Sequence, residues 1–78
     1  MTTEQFEHLV FRLSNTCFVR HWMNWKQREE PPYYMAFVLV DWQSQPLLPY
    51  AGDLERYGPH TTEPLGNHTV FIFERTQP

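Results

Sequence analysis

The sequence is poor in the devices that usually hold small proteins together. It contains a single cysteine, Cys17, so no internal disulfide is possible, and no CxxC or Cys/His framework marks a structural zinc. Its longest apolar run, Met35–Val40, falls far short of the ~20 residues that cross a bilayer, so no membrane segment is expected. The opening MTTEQFEHLV lacks both the basic stretch and the unbroken apolar stretch of a secretory leader. A lone thiol without an export signal makes the cytoplasm the expected location. On the same ground Asn67-His68-Thr69, which fits a glycosylation pattern, reads as chance.

Carboxylates are missing from one stretch. Between His8 and Arg28 stand Arg12, Arg20, Lys26 and Arg28 with no Asp or Glu, although the chain as a whole carries a net charge of −3. The remainder holds all nine acids against only Arg56 and Arg75. That overall balance argues against a general nucleic-acid binder, while the local balance of the basic stretch keeps that option open.

What the sequence has in quantity is aromatic surface: six Phe, four Tyr and three Trp in 78 residues. A chain of this length forms one small domain, 1–78, and buries only about 60% of its unfolded surface. Large rings are its substitute for a staple, each worth ~1.5–3 kcal/mol when fully buried.

Thr2-x-x-Gln5 has the spacing of a capping box, and Phe6, Leu9, Val10 and Leu13 follow at helical intervals. The pattern predicts an amphipathic helix over residues 3–14, with Ser14-Asn15-Thr16 as its stop. Residues Cys17–Lys26 read in two ways. As a strand they place Phe18, Arg20, Trp22, Asn24 and Lys26 on one face, with Cys17, Val19, His21, Met23 and Trp25 on the other. As a helix they align Phe18, Trp22 and Trp25. The strand is preferred, because continuing the first helix's apolar arc would require Arg20 and Asn24 in the core.

Residues Tyr33–Val40, YYMAFVLV, are apolar on both faces of a strand expected to reach Gln43. In so short a chain, that surplus predicts self-association or a protein partner. The stretch Gln45–Gly66 holds four prolines and all three glycines and reads as a long loop, with one or two helical turns near Ala51–Tyr57. His68–Arg75 is the last strand. The expected architecture is therefore α+β: an N-terminal amphipathic helix on a three-stranded, mainly antiparallel sheet, with the long Pro/Gly-containing loop before the last strand.

Four groups of residues invite chemistry. Phe18, Arg20, Trp22 and Lys26 on one strand face combine rings with cations, as single-stranded nucleic-acid binding requires. Cys17 with His21 has the elements of a nucleophile and base, but a lone Cys beside Phe18 and Val19 reads as a small buried hydrophobe. His60, Glu63 and His68, with Asp53 and Glu55 upstream, match no metal-ligand spacing, so neither metal nor other cofactor is expected. Trp42, Tyr50, Arg56 and Tyr57 gather the residue types of interface hot spots in or beside the loop. The leading expectation is a non-enzymatic protein-binding module, a small regulator or inhibitor of a larger assembly, homodimeric, using Trp42, Tyr50, Arg56 and Tyr57. The alternative is single-stranded nucleic-acid binding through Phe18, Arg20, Trp22 and Lys26.

Overall fold

Helix α1 spans Thr3–Leu13 and begins as its capping residues dictate. The Thr2 hydroxyl accepts from the Gln5 N–H at 3.2 Å, and Gln5 Oε1 accepts from the Thr2 N–H at 2.9 Å. Both halves of the capping box are thus made. At the far end the Ser14 hydroxyl donates back to the Val10 carbonyl at 2.7 Å, the local bond by which serine ends a helix. The structure, a computed structural model, describes residues 1–15, 18–39 and 61–76.

The strands are β1 (Val19–Trp22), β2 (Tyr34–Leu39), β3 (Thr61–Leu65) and β4 (His68–Glu74). They pair antiparallel throughout, in the order β1-β2-β4-β3. A short 3-10 turn, Trp25–Gln27, follows β1. The α+β class therefore stands, but the expected three strands are four. β3 lies inside the stretch read as loop, and its residues TTEPL explain the miss. All but Glu63 are exposed, so no apolar alternation announces a strand. It is held by pairing with β4 from Thr61↔Ile72 to Leu65↔His68. As an edge strand it tolerates Pro64, which has no N–H to give.

Pairing fixes which side chains share a face. His21, Phe37 and Phe71 form one row across β1, β2 and β4. This face carries Met35, Phe37, Leu39 and Phe73, which pack with Phe6, Leu9, Val10 and Leu13 of α1 into the main core. Phe6 sits at its centre, with the rings of His21, Phe37 and Phe73 at 6.2, 6.4 and 6.2 Å. The four helix positions expected to face inward are the four that are buried.

The opposite face holds a second cluster, Ala36, Val38, Val70 and Ile72, against which Trp22, Trp25 and Tyr34 pack. Ala36 is 0% and Val38 3% exposed. Both sides of β2 are thus enclosed by the chain's own atoms, and the two-sided apolar strand does not call for a companion. Trp22, Trp25 and Tyr34 cover the other side as the helix covers the first.

Candidate functional site

Cys17–Lys26 resolves into neither of the two regular readings. β1 ends at Trp22, the chain bends, and the 3-10 turn carries Trp25 to the side of the sheet where Trp22 lies. A continued strand would have put Trp25 on the helix side, as sequence alternation implied. Instead the two indoles meet edge to face, centroids 4.7 Å apart and planes at 64°.

The turn is held by one side chain. Asn24 Nδ2 donates to the Arg28 carbonyl at 2.9 Å, and Asn24 Oδ1 accepts from the Arg28 N–H at 3.2 Å. The Gln27 N–H donates to the Asn24 carbonyl at 3.1 Å. Within this clamp Lys26 and Gln27 adopt φ of 60° and 50°. For residues with a Cβ that left-handed conformation costs roughly 1–2 kcal/mol each. Such strain persists only where its surroundings over-determine it, and it gathers at binding sites.

Three cations accompany the rings. The Arg20 guanidinium lies 5.5 Å from the Trp22 ring centre and that of Arg28 lies 5.8 Å from Tyr34, contacts worth about 0.5–1 kcal/mol each when exposed. Lys26 Nζ meets both Glu63 oxygens, at 3.3 and 3.2 Å, tying the turn to β3 across the sheet. With side chains 63% and 41% exposed, this pair contributes only ~0–1 kcal/mol and is readily exchanged. Between them lies a groove of about 320 Å³, lined by Trp25, Lys26, Arg28, Tyr34 and Glu63 over a floor that includes Ile72. A second hollow of about 320 Å³ opens beside Trp22 and Asn24, and Trp25 and Lys26 line both. The Trp25 Nε1–H is buried and has no acceptor among the described residues, which is unusual for an interior polar group.

Of the residues singled out from sequence, Arg20, Trp22 and Lys26 are brought to this one region, Lys26 from the turn rather than from a strand. Phe18 is 71% exposed just before β1 and takes part in none of the ring contacts among the described residues. Trp42, Tyr50, Arg56 and Tyr57 lie outside the described residues, as do Cys17, Asp53, Glu55 and His60. His21 and His68 are exposed, and no group of three or more His, Cys, Asp or Glu that could hold a metal occurs among the described residues. Sequence reasoning missed Arg28 and Tyr34 as site members because Arg28 lies in the polar loop and Tyr34 opens the next strand, where no spacing links them to Trp22. The signal that was present is the Trp22-x-x-Trp25-Lys26 spacing.

The chain matches no family model, no curated protein and no solved structure. Among the described residues no helix is long and apolar enough to cross a membrane.

Proposed function

We propose that this chain is a non-enzymatic protein-binding module of the cytoplasm, a small regulator or inhibitor that docks on a larger assembly. Its docking face is the one built by Arg20, Trp22, Trp25, Arg28 and Tyr34. One observation carries the proposal: Trp25, Arg28 and Tyr34, of the types that dominate interface hot spots, line one groove partly or fully exposed, and Trp22 with Arg20 over its ring adjoins them through the indole pair. The clamp by Asn24 supports it, because a turn already ordered before binding loses little entropy on docking. This site replaces the loop aromatics as the surface to test. A homodimer is no part of the proposal, since its argument rested on a sheet face that the chain itself covers.

The test is paired affinity capture from the native host, using the tagged protein and an Arg20→Ala/Arg28→Ala variant as baits with quantitative mass spectrometry. Both arginines are exposed, so the variant should fold, and circular dichroism checks this. A partner retained by the first bait and lost from the second is expected. Identical captures on both baits would remove this face from the proposal.

The meeting of Arg20, Trp22 and Lys26 also favours a second reading, single-stranded nucleic-acid binding, in which bases stack on Trp22 and cations hold phosphates. Tryptophan fluorescence titrated with an oligothymidylate at two salt concentrations separates the readings. Saturable, strongly salt-dependent quenching supports the strand, and its absence removes that reading.

A further inference from the structure

Taking the docking face as read above, we infer that its groove recognises an acidic peptide segment, and that Glu63 is the chain's own competitor for that segment's carboxylate. The chemistry of the groove walls points there. Lys26 and Arg28 stand at its margin, and Arg20 lies beside the adjoining indole pair. Arg28 uses Nε on the Glu30 carbonyl and a face on Tyr34, while its terminal nitrogens have no hydrogen-bond partner among the described residues. Among the described residues Arg20 lies over the Trp22 ring and has no ion-pair partner. Both are donors positioned by a ring, with no carboxylate partner among the described residues.

Glu63 shows that a carboxylate fits. It reaches from edge strand β3 across the groove to Lys26, and it is exposed enough to be displaced. Lys26 is presented by a left-handed turn under the Asn24 clamp, so its side chain leaves the backbone toward Glu63, where an incoming carboxylate can exchange with it. The occupant's apolar portion would meet Trp25, Tyr34 and Ile72.

Charge distribution favours a short acidic segment over a nucleic-acid strand. The cations form isolated points rather than a track. Glu29 and Glu30 follow Arg28 directly, and Glu74 is the register partner of Tyr34 on the same sheet face. A strand with a phosphate at every step would meet these carboxylates. A peptide with one or two acids beside an apolar residue need not.

The experiment titrates the full chain with three probes, reading tryptophan fluorescence. They are the peptide acetyl-Ser-Glu-Leu-Phe-Glu-Ser-amide, its counterpart with Gln for every Glu, and an oligothymidylate. The acidic peptide should saturate and the Gln peptide should bind at least severalfold more weakly. Glu63→Gln should tighten the acidic peptide by about fivefold or less, the most that an exposed ion pair can withhold. Equal binding of the two peptides overturns the acidic preference while leaving the docking face intact. Binding of neither overturns the acidic-peptide inference, and the paired capture then decides the docking face separately. Saturable binding of the oligothymidylate alone puts a nucleic-acid strand in place of the peptide. Asn24→Ala, which frees the turn without touching a cation, should weaken the acidic peptide, and unchanged affinity would count against a pre-set Lys26.

Discussion

Asn24 holds Arg28 by both of its backbone groups, donating to the carbonyl at 2.9 Å and accepting from the N–H at 3.2 Å. One amide side chain thereby closes the turn that carries Trp25 and Lys26. Asn24→Ala removes both bonds and leaves the strained residues without their clamp. A net loss of ~1–2 kcal/mol is expected, or a fall in Tm of roughly 4–15 °C for a domain of this size. The coupled-indole band in circular dichroism should shrink with it, because Trp25 loses its fixed position against Trp22. A lowered Tm with that band intact would show that the indole pair is held by something else.

Gln27 has φ of 50° and its side chain enters no described hydrogen bond, so its conformation can be tested without removing a contact. Gln27→Gly should raise stability by ~0.5–1 kcal/mol, the relief of the left-handed penalty outweighing glycine's extra chain entropy. Gln27→Val should lower it, since a β-branched residue tolerates that region least. Denaturant unfolding of the three proteins gives the order directly, and stability equal in all three would mean the turn is not left-handed at this position.

Those strained positions also mark where the sequence stopped being readable. Helix α1 was legible to its capping box, because Thr2, Gln5 and four apolar residues at helical spacing act locally and agree with one another. The last strand and the centre of β2 were legible for the same reason, as runs of β-branched and aromatic residues. β3 was not, since Thr61–Leu65 is held by its partner rather than by its own burial. The site was half legible. Arg20, Trp22 and Lys26 were recognised as a ring-and-cation group, but the rotation of Trp25 depends on the Asn24 clamp, which no periodicity announces.

The β3–β4 hairpin turns on Gly66 and Asn67, with Leu65 paired to His68 and Gly66 at φ +61°. Positive φ at the first central residue is the arrangement of a type II′ turn, the kind that suits the twist of a hairpin. A Cβ added at Gly66 would meet nothing within 4 Å. Gly66→Ala is therefore a test of backbone conformation alone, with an expected cost of ~1–2 kcal/mol and no packing contribution. If alanine is tolerated without loss, β3 is not held to β4 by this turn.

The two faces of β2 predict a paired result. Phe37 lies at 0% exposure against α1, and Val38 at 3% on the side covered by Trp22, Trp25 and Tyr34. Phe37→Ala should cost ~3–5 kcal/mol through lost burial and the cavity left behind. Val38→Ala, deleting two methyl groups, should cost ~1.5–3 kcal/mol by the same mechanism. The smaller substitution is the more informative. A face sealed by the chain's own indoles gives this loss at every protein concentration, whereas a face sealed by a second copy gives a Tm that rises with concentration in the unmutated protein. A concentration-independent Tm together with a destabilised Val38→Ala is the expected outcome. A Val38→Ala variant as stable as the parent would mean that the aromatic cover over this face does not form.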